Sequence, residues 1–154
     1  TGDIHLSMVQ NLPVTGAVIV STPQKVALAD ARKGVAMFKM EQINVPVLGI
    51  LENMSYFSPP EQPEKKYYLF GKEGAQKLAK TMEVPFLGEL PLIQSIREAG
   101  DVGRPAALQE GTNIPLAFDE IARNIVSEVA KRNKDLPPTE IVRITTMAGC
   151  SPKK

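Results

Sequence analysis

The chain has 154 residues, of which 43% are hydrophobic and 23% charged, with a net charge of +1. That length suits one domain with a real core, and the even charge balance gives no field to draw nucleic acid or an anionic membrane as partner. One cysteine, Cys150, excludes an internal disulfide framework and a cysteine-rich metal site within one chain, and fits a reducing, cytoplasmic setting.

The start, Thr1-Gly2-Asp3-Ile4-His5, has neither an initiator Met nor a basic stretch leading into an apolar one, so it reads as the inside of something longer. No apolar run approaches the roughly 20 residues that span a bilayer. Asp3 to Gln10 suits a short helix with Asp3 as N-cap and Ile4, Met8 and Leu12 on one face. Gly16-Ala17-Val18-Ile19-Val20 is a β-branched apolar run closed by Ser21-Thr22-Pro23, the pattern of a buried strand. From Lys25 to about Gln42, Leu28, Ala31, Val35 and Phe38 fall at helical spacing. Asp30 lies mid-helix, where a solvated charge or a local ion pair with Lys33 is expected.

Val45-Pro46-Val47-Leu48-Gly49-Ile50-Leu51 is a second buried strand, running abruptly into Glu52-Asn53-Met54-Ser55-Tyr56-Phe57. In a parallel sheet ligands bind beyond the carboxyl ends of strands, and a side-chain amide carries both a donor and an acceptor for the edge of a base. Taken alone, the stretch leaves Asn53 as either such a reader or a turn residue closing the strand. Ser58 to Lys66, with three prolines, is a surface loop, and Gly71 to Glu83 returns to helix. Val84-Pro85-Phe86-Leu87-Gly88 echoes Val45 to Gly49 and opens a third strand ending at Pro91. A short helix over Ile93 to Ala99, a turn over Gly100 to Pro105 and a long amphipathic helix from Ile114 to Arg132 complete the domain. Residues 133–154 read as a Pro- and Lys-containing tail, with an edge strand possible in pattern at 140–144. Strands alternating with helices predict an α/β, doubly wound, mostly parallel sheet.

Catalytic and phosphate signatures are thin. Neither G-x-x-x-x-G-K-[ST] nor G-x-G-x-x-G occurs, and Gly71-Lys72-Glu73-Gly74 has the wrong spacing for a phosphate cradle. A single histidine, His5, rules out a cluster built on several.

Thr1 to Ser7, Gly16 to Gln24, Val26 to Gly34, Val45 to Gly49, Glu52 to Ser55 and Val84 to Gly88 come in an order and spacing that resembles the Mrp/ApbC family over residues 1–132. These are P-loop ATPases of the MinD/ParA class implicated in carrying iron–sulfur clusters. The resemblance implies a P-loop NTPase-like sheet, here without its first strands, an ATP and Mg²⁺ site, a homodimer, and apo iron–sulfur proteins as clients. By position it implies that Asn53 reads the adenine edge and that Pro91 and Leu92 pack against the base. Gly2 and Asp3 match the end of the segment that senses the γ-phosphate, which makes Asp3 the candidate for a catalytic role.

Two departures follow from the same comparison. Family members carry a Lys-Gly-Gly-Val-Gly-Lys-Ser type loop before the position of Thr1, and without its backbone N–H groups the piece alone should bind nucleotide weakly and be inactive. They also carry Cys-x-x-Cys where this chain reads Ser58-Pro59-Pro60-Glu61, hard oxygen donors that suit a cluster poorly. Two other readings compete. A MinD/ParA positioning ATPase would need a membrane helix or a basic surface, and an interaction module would have no P-loop at all.

Overall fold

The apolar runs that open at Gly16, Val45 and Val84 become the strands of one parallel sheet, and the amphipathic stretches become the helices on it. The computed structural model describes residues 3–143. In chain order it contains α1 (Asp3–Asn11), β1 (Ala17–Ser21), α2 (Lys25–Phe38), β2 (Val47–Asn53), α3 (Gly74–Met82), β3 (Phe86–Leu90) and α4 (Gln94–Asp101). A 3-10 turn (Ala106–Leu108) then leads to α5 (Ile114–Asp135).

The strands lie in the order β1-β2-β3, each pair parallel. Parallel neighbours require crossovers, and α2 and α3 provide them on one face. There Ile50, with no exposed surface, clusters with Ala31 and Val35 of α2 and with Ala75, Leu78 and Ala79 of α3. The other face carries α5, whose Ile121 packs with Leu51 and Leu90 while Ala117, Phe118 and Ile125 close around them. Asn124 of α5 also donates from Nδ2 to the Leu87 carbonyl at 2.9 Å, fixing the helix to β3. Helices on both faces make the sheet doubly wound, as the alternation of elements predicts.

The repeated Val-Pro-x-Leu-Gly has a common job. The Pro46 carbonyl accepts from Ala17 N–H and the Pro85 carbonyl from Ile50 N–H, each at 2.8 Å. A proline can accept a ladder bond without owing one, so each opens its strand against the preceding one. At Gly49, with φ +154°, a Cβ would sit 2.7 Å from the Pro85 carbonyl oxygen, so the close approach of β2 to β3 requires glycine.

Several local expectations change. Ile4, Met8 and Leu12 of the first helix and its end are exposed, and Val9 is the residue that turns inward, against Phe38, Ile43 and Val45. A nine-residue helix with apolar residues on several sides has no unique face until a core selects one. Asp3 is the first residue of α1 and not its cap. Helix α2 ends at Phe38, α4 continues to Asp101 through part of the expected turn, and α5 runs on to Asp135. Residues 140–143 form no strand; Val142 instead donates its N–H to the Val9 carbonyl at 3.0 Å, and Ile144 lies outside the described residues. Among the described residues no helix is long and apolar enough to cross a membrane.

Candidate functional site

Strand β2 extends two residues further than its apolar run, through Glu52 to Asn53. Alternation along a strand puts Glu52 on the same face as Ile50, which is the face covered by α3. The Glu52 side chain is accordingly buried, only 1% exposed, and its Oε2 accepts from Ala75 N–H at 2.6 Å. A strand carboxylate thus satisfies the N-terminus of α3, whose own cap residue, Glu73, makes no side-chain bond to it. Burial pushes the Glu52 pKa up from its ordinary 4.5; the Ala75 N–H works against that, and the Glu89 and Glu73 carboxylates add to it.

Asn53 closes the strand, in register with Leu90 of β3. Its Oδ1 accepts from Met54 N–H at 2.9 Å, where the chain turns with Met54 at φ +56°. Ser55, fully buried, then donates from both N–H (3.0 Å) and Oγ (3.1 Å) to the Leu90 carbonyl. Leu92 N–H donates to the Tyr56 carbonyl at 2.7 Å. Four successive residues, Glu52 to Ser55, are therefore each held by a specific bond, and the ends of β2 and β3 are tied together.

The candidate residues divide between two cavities. A cavity of about 530 Å³ beside β1 is lined by Asn53 with Ser21 and Thr22 at the β1 end, Asp30 of α2 and His5 of α1. Pro91 lines another, of about 470 Å³, with Tyr56, Glu89, Asn113 and Glu120. The register brings Asn53 to within one residue of Pro91 along the sheet edge, yet the two open onto different spaces. Leu92 is half-buried beside Pro91. Asp3 is exposed, Gly2 lies outside the described residues, and Asp30 is exposed and paired with Lys33 at 3.6 Å.

At Gly74 a Cβ would lie 2.7 Å from the Pro23 carbonyl, so this glycine seats α3 on the β1–α2 turn. With Glu52 already at that helix end, Gly71 to Gly74 do not form an anion site. The following loop is equally closed on itself. Phe57 and Tyr67 exchange two backbone bonds of 2.8 Å around Ser58 to Lys66. Lys66 lies 3.8 Å from the centre of the Tyr56 ring and 3.5 Å from Glu89. Ser58 is half-buried and Glu61 exposed, and among the described residues no three His, Cys, Asp or Glu side chains stand where they could hold a metal ion.

Sequence patterning finds Asn53 but passes over Glu52 and Ser55. The signal for Glu52 was present in its spacing of two from Ile50, which places it on the inner face of an otherwise apolar strand.

A doubly wound parallel sheet whose polar side chains gather at the carboxyl ends of its strands belongs to the class of α/β domains that bind ligands at that edge. Within that class, the family model for ParA proteins described as NUBPL iron-transfer P-loop NTPase matches residues 1–126, and the chain belongs to this family. It is 49% identical over 138 residues to the mouse iron-sulfur cluster transfer protein NUBPL, covering 89% of this chain and 41% of that one. It is 47% identical over 131 residues to the iron-sulfur cluster carrier protein of Synechocystis, covering 84% and 36%. Among solved structures, a nucleotide-binding protein from Archaeoglobus fulgidus in complex with ADP superposes with a TM-score of 0.58 at 39% identity, over 67% of this chain and 41% of that one. The chain thus spans about two-fifths of the length of the relatives it matches.

Proposed function

We propose that this chain is the carboxyl-side part of an ATP-binding and ATP-hydrolysing protein of the iron–sulfur carrier kind, and that it supplies the base end of the nucleotide site. The observation that carries this reading is Asn53 at the carboxyl end of β2, lining the cavity beside β1 on a backbone held by Glu52 and Ser55 on either side of it. The ADP bound to the Archaeoglobus protein and the names of the longer relatives support it. The start of α3 is occupied by Glu52, so that helix end is not a phosphate site. Phosphate and Mg²⁺ would be held by the P-loop that the resemblance places before Thr1, with Gly2 and Asp3 next to the γ-phosphate, in a homodimer working in a reducing compartment such as the cytoplasm. ATP supplies the phosphoryl group whose hydrolysis would drive the cycle; this chain's part is to bind and orient the base.

The test uses the intact protein. Asn53→Ala should weaken ATP by about tenfold, the worth of one good hydrogen bond, and leave pyrophosphate nearly unchanged. Equal loss of both would remove Asn53 from the base pocket.

The cluster is the cargo in this reading, and the donor set here does not fit it. Ser58 and Glu61 offer oxygen where thiolates hold iron–sulfur clusters, and the lone Cys150 lies outside the described residues. Anaerobic reconstitution of the intact protein with iron and sulfide should therefore leave little or no visible cluster absorbance. A stable brown species bridging two subunits would refute that expectation.

A further inference from the structure

Helix α1 cannot satisfy its own last turn, and a residue from the other end of the chain does it instead. The turn closes at Leu12, whose N–H reaches the Met8 carbonyl at 2.9 Å. The next carbonyl, that of Val9, would need a donor from residue 13, and Pro13 has no N–H. Val9 is only 2% exposed, so water is a poor substitute. Val142 supplies the donor, its N–H lying 3.0 Å from the Val9 carbonyl oxygen.

The path that brings Val142 there is set by the sequence. Helix α5 packs on one face of the sheet and α2 on the other. Beyond Asp135 the backbone of Leu136 is extended, and Pro137 and Pro138 keep the chain from returning to helix. The chain then crosses to the α2 side, where the half-buried Val142 side chain packs with Val9, Phe38, Ile43 and Val45. Ile141 and Arg143 on either side of it stay exposed. Val142 is thus anchored twice, by its backbone and by its side chain.

The first turn of α1 looks into the cavity beside β1, which His5 lines together with Ser21, Thr22 and Asn53. Asp3, the first residue of the helix, is the one that the resemblance sets beside the γ-phosphate. Nine residues of helix, about 13 Å, join that end to the one held by Val142.

From this arrangement we propose that Val142 is a positioning residue for the phosphate end of the nucleotide site. By capping the last turn of α1 it fixes where the first turn, with Asp3, stands. The proposal deepens the ATP-hydrolysing reading above and rests on it for the role of Asp3. Val142 touches no reactant and acts through the helix.

The test uses the intact protein. Val142→Pro removes the N–H and keeps an apolar side chain, and a second variant ends the chain at Pro138 and removes the whole contact. Hydrogen exchange without nucleotide, on peptides covering Ser7 to Leu12 and Val47 to Asn53, compares the hold on α1 with that on β2. Both variants should exchange about five- to tenfold faster in α1, as for the loss of one backbone bond, with β2 unchanged. In Mg²⁺-dependent ATP hydrolysis both should lose about three- to tenfold in kcat, with KM within about twofold of wild type, because only the aim of Asp3 is loosened. Unchanged exchange in α1 would overturn the proposal. So would faster exchange in both peptides alike, which marks general destabilisation, and so would faster α1 exchange with kcat intact, which leaves Val142 a helix cap and nothing more. A wild type that hydrolyses no ATP would sink the nucleotide reading and the proposal with it, while the exchange of α1 still shows whether the cap exists.

Discussion

Replacing Glu52 separates what its oxygen does from what its charge does. Glu52→Ala removes the acceptor for Ala75 N–H, a 2.6 Å bond in a fully buried setting, and weakens the neighbouring Gly74 N–H as well. An orphaned buried donor costs about 1–3 kcal/mol, so a loss of about 2–4 kcal/mol is expected, or about 6–12 °C in melting temperature at the middle of that range. Glu52→Gln retains a carbonyl oxygen for Ala75 and should cost about 1 kcal/mol or less at neutral pH. The charge shows itself in the pH dependence. Burial holds the folded-state pKa above the ordinary 4.5, so the folded protein takes up this proton before the unfolded chain does. Between those two values the folded state binds more protons; acidification through that window adds stability and rising pH removes it, opposite to a carboxylate in a salt bridge. Carboxylates remote from Glu52 titrate alike in wild type and Gln variant and cancel in the difference. Urea unfolding of both proteins at a series of pH values from about 7.5 down to about 4.5 should show the wild type gaining on the variant as pH falls. A gap independent of pH, or one that widens in the wild type's favour as pH rises, would refute the reasoning. The first result would mean that the α3 N-terminus offsets the penalty of burial, and the second that it stabilises the ionised form more than burial penalises it.

Two further substitutions probe the frame around this residue. Gly74→Ala should cost about 1–3 kcal/mol in thermal unfolding, because its Cβ would meet the Pro23 carbonyl at 2.7 Å and a Leu28 methyl at 2.8 Å, forcing α3 off the β1–α2 turn. Lys66→Met should cost no more than about 1 kcal/mol, since the pair with Glu89 is about two-fifths exposed on each side; its effect should shrink further in high salt.

The architecture could be read from the chain because strands and long helices announce themselves by periodicity. The stripe Leu28, Ala31, Val35 and Phe38 needed no partner to be recognised, and it is the buried side of α2. The place of Asn53 could be read too, since a polar residue closing an apolar run falls at the carboxyl edge of a parallel sheet. What stayed hidden depends on contacts between segments far apart. Glu52 looks like the first solvated residue after the strand until α3 arrives to give its carboxylate two backbone donors. Helix α1 offers several apolar faces, and only the Phe38, Ile43 and Val45 cluster decides for Val9. The division of Asn53 and Pro91 between two cavities is likewise a matter of how β3, α4 and α5 meet, which no local pattern encodes.

Among the described residues β1 has a neighbour on one side only. Its five residues, Ala17 to Ser21, carry no charge and no proline, and Val20 stands 56% exposed. Proteins ordinarily guard such a margin with a lysine, a bulge or a covering element, and the ladder irregularity here lies on the β2 side, at Ala17 and Val18. Another extended segment, such as a strand from the rest of a longer protein, can pair along this margin by main-chain bonds. A polypeptide ending at the present boundaries should self-associate in proportion to its concentration, whereas a lysine at Val20 would act as a gatekeeper and keep it dispersed.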